Sequence, residues 1–221
     1  MNKPEITSQS WYKTTMDTAK ATVAQFIELI ENKKDKEALE FYLKEQGSFF
    51  VAFELTTDSF EFHSNIVIPL FFKYKESAIA YKEAIRILEM EQTLTEAVII
   101  MSGSTNIPTH YGRLISELEQ LYTAIGCYEN ALVQTDRILN VTDDMEAQAL
   151  VYNNKAYIYK LMGNKAAAIK SAKKAISILK ELKQQDNEMY SNCQEIIAEI
   201  KGKSKKNNLL EKTYCFQKYI G

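Results

Sequence analysis

Apolar residues recur along this chain at the three-and-four spacing of amphipathic helices almost from end to end. Val23, Phe26, Ile27 and Ile30 form a first stripe. Asn32-Lys33-Lys34-Asp35 breaks it, and Asp35 is placed to cap the next helix with its carboxylate. Ala38, Leu39, Tyr42 and Leu43 open that second helix, which the pattern carries into Phe49–Leu55. From Asp58 to Tyr74 the pattern is ambiguous. Phe60, Phe62 and Ile66–Phe72 read equally as a buried helix or as extended chain, and Pro69 would remove one backbone bond and kink a helix. Ala78, Tyr81, Ala84, Ile85 and Leu88 then predict one helix and Thr95–Met101 another. Ser102–Pro108 is the clearest loop in the chain.

Beyond that loop the predicted helices come in pairs. Leu114, Ile115, Leu118 and Tyr122 lead to a break at Gly126; Tyr128, Ala131, Leu132 and Ile138 follow, up to Thr142-Asp143. Ala149, Tyr152, Ala156 and Tyr159 lead to Gly163; Ala168, Ile169, Ala172, Ala175 and Ile176 follow, up to Gln185-Asp186. A further helix is expected from about Asn187 to Lys201, then a linker over 202–208 and a short closing helix over Leu209–Ile220. The organisation expected is an irregular helical part over 1–108, regular helix pairs over 109–201, and a basic linker with a capping helix over 202–221.

Gly126 and Gly163 lie 37 residues apart, and aligning the chain on them superposes like on like. Ile115 falls opposite Tyr152, Tyr122 opposite Tyr159, Ala131 opposite Ala168, Leu132 opposite Ile169 and Ile138 opposite Ala175. A glycine permits a tight turn between antiparallel helices. A small residue just after it lets the second helix approach the first.

On these residues the sequence resembles the tetratricopeptide repeat, a helix–turn–helix of about 34 residues. Ala149–Lys180 matches best, with Tyr152, Ala156, Tyr159, Gly163, Ala168, Ala172 and Ala175 at signature positions. Gly112–Thr142 carries Leu118, Tyr122, Gly126, Tyr128 and Ala131, with Glu119 where a small residue is usual. Phe72–Leu88 offers Ser77, Tyr81 and Ala84 at second-helix spacing, and Asn32–Glu45 is a fainter match. The departures are Lys155 in place of an apolar residue, no closing proline in either repeat, and the longer period. The resemblance implies an all-α solenoid, a right-handed superhelix of antiparallel helix pairs. It also implies that first helices line a concave, peptide-holding face. By alignment that face carries Arg113, Ser116, Gln120 and Thr123 from one repeat, and Asn153, Asn154, Tyr157, Lys160 and Leu161 from the next. Asn offers a donor and an acceptor to a peptide backbone, and Tyr adds rigid area. Only Asn154 matches the clamp by which some members grip a chaperone's C-terminal carboxylate; Ser116 stands where a Lys is needed, and the next helix offers Tyr190 and Ser191 instead of cations.

Composition supports the helical reading. Seven glycines and three prolines among 221 residues are few, against roughly 15 glycines expected at ordinary usage. The net charge of −2 gives no general pull toward phosphate backbones. Residues 201–221 are the exception, with six lysines against Glu211, and Tyr214, Phe216 and Tyr219 follow the basic run. That composition supplies the competing reading, a nucleic-acid-associated regulator using the tail, although Leu210, Tyr214 and Phe216 are spaced as a capping helix. Cys127, Cys193 and Cys215 are odd in number and form no CxxC, as expected of reduced thiols in a cytoplasmic protein. No apolar leader precedes Trp11, and Ile66–Phe72 falls far short of the ~20 residues that span a bilayer.

Nothing points to catalysis. His63 and His110 are far apart without metal-ligand spacing, and His110 reads as polar loop surface. No phosphate-binding glycine motif occurs. Asp143-Asp144 sits where it caps a helix, and Cys127 follows a glycine at a helix start. The expectation is a cofactor-free, non-enzymatic module that binds another protein or peptide as adaptor, scaffold or peptide receptor.

Overall fold

The computed structural model describes residues 10–53, 57–103 and 108–202. Those residues are helical and contain no strand. The chain divides into two compact units, one running to His110 and the other beginning at Tyr111. The tail expected to form a linker and closing helix lies outside the described residues, as do Leu55 and residues 104–107.

In the first unit, α1 (Ser10–Glu31) packs along α2 (Asp35–Ala52). The turn between them ends α1 with two backbone bonds, Lys34 N–H to Leu29 O and Lys33 N–H to Ile30 O, and puts Lys33 at φ +58°. Asp35 does not cap α2: Lys34 holds that position without a side-chain bond. The Asp35 carboxylate instead accepts from Lys73 Nζ at 2.7 Å and Tyr74 Oη at 3.3 Å, and the lysine contact lowers its pKa. α2 bends at Glu45.

The ambiguous stretch is helical. α3 (Thr57–Phe62) runs through a π turn (His63–Val67) into α4 (Ile68–Tyr74). Pro69 cannot donate a backbone bond, and its ring crowds the carbonyl four residues back. The π turn relieves this, with Ile68 N–H reaching His63 O five residues back. The two helices expected over 78–101 are one, α5 (Ser77–Ser102), because Glu91, Gln92 and Thr95 continue its buried stripe with polar side chains; Gly103 at φ +62° ends it. Around these elements Phe26, Tyr42, Phe49, Phe62 and Phe71 form a ring-on-ring core, Phe26 meeting Phe49 and Phe62 edge-on at 5.3 Å.

The second unit holds most of α6 (Thr109–Ala124), then α7 (Tyr128–Val141), α8 (Met145–Leu161), α9 (Lys165–Glu181) and α10 (Glu188–Ile200). Helices pack in chain order: α8 lies against both α7 and α9, and α10 against both α8 and α9. Gly126 and Gly163 sit at φ +79° and +74°, where an L side chain is strained. At each, the next residue's N–H reaches five back (Cys127 to Tyr122 O, Asn164 to Tyr159 O), satisfying carbonyls the helix end would orphan. Asp144 caps α8 by accepting from Glu146 N–H, as its position suggested, and Asn164 and Asn187 cap α9 and α10. The core along α8 and α9 is built on Ala149, Ala156, Ala168, Ala172 and Ala175, all fully buried. Their small size is what lets two helix backbones approach closely.

Candidate functional site

The nine residues expected on a binding face lie on α6 and α8; Leu161 is exposed at the end of α8, and the structure divides the eight polar ones by what their polar groups do. Thr123, Asn153 and Asn154 are buried. Thr123 Oγ1 donates to Glu119 O at 2.8 Å and lies 3.3 Å from Glu119 Oε1. Asn154 Nδ2 donates to Glu119 Oε2 at 2.9 Å, tying α8 to α6. Asn153 Oδ1 accepts from Cys193 Sγ at 3.3 Å, tying α8 to α10. Lys160 pairs with Glu199 on α10. Asn154 thus ties α8 to α6, Asn153 and Lys160 tie α8 to α10, and Thr123 bonds within α6.

The remaining members lie nearer the surface. Gln120 is exposed and donates to Ser116 Oγ at 3.4 Å, a long bond. Arg113 pairs with Glu117 at 3.1 Å, one turn along α6. Tyr157 is half-buried and packs against the Ala156, Cys193 and Ile196 cluster.

The centre of this stripe is a residue that sequence reasoning noted only as a departure. Glu119 is fully buried, and burial pushes its carboxyl up to about 7, against smaller opposing effects of Asn154 and Thr123. Near neutral pH it exists as both acid and anion. Burial likewise drives the Cys193 thiol up to about 12, so it behaves as a packed apolar group that donates to Asn153. Cys127 is exposed at the start of α7.

The first unit contains a polar cluster that sequence alone did not reveal. Ser59 Oγ donates to Glu91 Oε1 at 2.5 Å, and His63 Nδ1 lies 2.7 Å from the same oxygen and 2.9 Å from Ser59 O. All three residues are buried. The acceptors around Nδ1 require it to carry the proton. Nε2 and the Tyr42 hydroxyl have no hydrogen-bond partner among the described residues. Serine, histidine and carboxylate suggest acyl-transfer chemistry, but the serine addresses the carboxylate and leaves the imidazole alone. The nucleophile-to-base contact of that chemistry is not formed. What the cluster does is pin the π turn to α5. The i, i+4 spacing of Ser59 and His63 is its one sequence signal.

His110 is likewise no surface residue. α6 starts immediately after Pro108, so His110 lies in its first turn, buried against Phe60 with ring centroids 5.7 Å apart and 3.3 Å from Thr95 Oγ1. Burial lowers its pKa. A cleft of about 470 Å³ opens between α1 and the bend of α2, lined by Thr14, Thr15, Thr18, Gly47 and Ser48. The three threonine hydroxyls donate to their own helix's carbonyls. Among the described residues no helix is long and apolar enough to cross a membrane, and no three His, Cys, Asp or Glu side chains gather as metal ligands would.

No family model matches the chain, and no curated protein matches it.

Proposed function

We propose that the second unit is a tetratricopeptide-like array that binds a polypeptide without catalysing a reaction, as an adaptor, scaffold or peptide receptor. The observation that supports this most is the side-to-side fastening of first helices. Glu119–Asn154 links α6 to α8, and Asn153–Cys193 with Lys160–Glu199 links α8 to α10. Helices fastened this way form a continuous face to which consecutive pairs contribute equivalent positions. On that face Ser116, Gln120, Tyr157 and the outer parts of Arg113 and Lys160 meet the partner, while Asn153 and Asn154 hold the helices in register and Thr123 supports Glu119 from within α6.

A rigid tyrosine flanked by amide, hydroxyl and cationic groups suits an extended backbone with side chains of mixed polarity. Each hydrogen bond contributes about 0.5–1.5 kcal/mol net, so recognition draws on several pairs together. Selection of the full-length protein against a displayed random-peptide library tests the reading. Enriched peptides should bind roughly tenfold or more weakly to Gln120→Ala/Tyr157→Ala. Failure to enrich any peptide, or equal binding by the double variant at unchanged helicity, would refute it.

A further inference from the structure

Cations in the second unit are distributed in two ways. On α6 and α8, Arg113, Lys155 and Lys160 are each paired with a carboxylate, of Glu117, Asp136 and Glu199. On α9, Lys170, Lys173, Lys174 and Lys180 are all exposed, and no ion pair or hydrogen bond engages their ammonium groups among the described residues. At 100° per residue these four fall on one stripe, opposite the buried Ala168, Ala172, Ala175 and Leu179. The row runs about 15 Å along the helix. Lys170 stands three and four residues from Lys173 and Lys174, the spacing at which like charges oppose helix formation. No acidic residue occupies a three- or four-residue position from any of the four. Lys170, Lys173 and Lys174 stand within one turn of one another, closer than the screening length of about 8 Å at physiological ionic strength, so their potentials add, and Lys180 extends the row by a further ~9 Å.

We infer that the outer face of α9 docks an acidic polypeptide segment whose carboxylates recur at helical spacing. The face has no arginine fork for bidentate phosphate recognition and no aromatic on which bases would stack. Its other exposed residues, Ala166 and Ser177, offer nothing to bury in a bilayer. Glu181 ends the row and would oppose a broad anionic surface. A second copy presenting the same lysines would be repelled. A narrow row of flexible point charges matches one acidic helix.

The test uses the full chain and a fluorescein-labelled helical peptide bearing Glu at i, i+3, i+4 and i+7, read by anisotropy at near-physiological salt. A glutamine version of the peptide, a single-stranded oligonucleotide and phosphatidylserine vesicles are run beside it. The acidic peptide should bind saturably, and roughly tenfold or more weakly to Lys170→Gln/Lys173→Gln/Lys174→Gln/Lys180→Gln with unchanged circular dichroism. The charge-reversed variant, with Glu at the same four positions, should instead take a lysine version of the peptide. Gln120→Ala/Tyr157→Ala should bind the acidic peptide normally, because this surface is separate from the proposed groove. Absence of saturable binding, equal binding by the glutamine variant, or lysine dependence confined to oligonucleotide or vesicles would overturn the inference.

Discussion

The side-chain amide of Asn154 donates to Glu119 Oε2 at 2.9 Å, so one helix pair grips the next through a carboxyl group that meets no cation among the described residues. Burial shifts Glu119 toward its protonated form, and its two neutral donors offset that only in part.

That preference makes stability depend on pH. The folded carboxyl titrates near 7 against an ordinary 4.5. Between those values the native state holds a proton the unfolded chain has lost. The stabilisation is complete below about 4.5 and disappears as pH rises through 7, a change on the order of 3 kcal/mol. Glu119→Gln keeps one acceptor oxygen for Asn154, leaves Thr123 its bond to the backbone carbonyl of residue 119, and never ionises. Its melting temperature should exceed wild type at pH 8, and the difference should vanish near pH 5, as read by thermal denaturation across that range.

The two turns that follow α1 and α9 place lysines, Lys33 and Lys183, at φ +58° and +57°. Both make the five-back backbone bond that Gly126 and Gly163 make, Lys34 to Leu29 and Gln184 to Leu179. A lysine there carries the Cβ strain that glycine avoids. Lys33→Gly and Lys183→Gly should each stabilise by about 0.5–1 kcal/mol in urea unfolding.

Ala156 and Ala172 are fully buried in one cluster between α8 and α9. Enlarging either to leucine forces the helices apart. Ala172→Leu should lose about 1–3 kcal/mol by chemical denaturation, whereas Ala166→Leu, on the exposed side of α9, should change stability little.

Glu91 is the acceptor for both Ser59 and His63 in the buried cluster of the first unit. Glu91→Ala strands both donors and leaves a cavity, and should destabilise by about 2–4 kcal/mol. Glu91→Gln retains one acceptor oxygen and should lose less. If the alanine variant unfolds at the wild-type denaturant concentration, the cluster does not hold the π turn.

Helix periodicity was readable wherever the buried stripe was apolar. Leu114, Ile115, Leu118 and Tyr122 lie buried on α6 as their spacing indicated. It failed where the stripe turned polar. Glu91, Gln92 and Thr95 continue the buried face of α5, and a pattern of apolar residues shows a gap there. Glycine marked the turns at 126 and 163, while lysine at 33 and 183 concealed the same turn geometry. Pro69 suggested a kink, and the chain absorbs it in a π turn whose His63 meets Glu91, 28 residues away, a contact no local pattern displays. The candidate face was legible as a stripe. Which of its members are exposed was not, because the burial of Asn153 and Asn154 is set by helices packed from elsewhere in the chain.

If the α6–α8 face receives a polypeptide, site-specific photocrosslinking from that face captures it. Benzoylphenylalanine is placed at Gln120 and, as a control, at Val133, which is exposed on α7. Irradiation in the native lysate should give a discrete crosslinked polypeptide from position 120, suppressed by Tyr157→Ala and absent from position 133. Crosslinks from position 133 alone, or a product at 120 indifferent to Tyr157→Ala, would mean that the α6–α8 face receives no polypeptide.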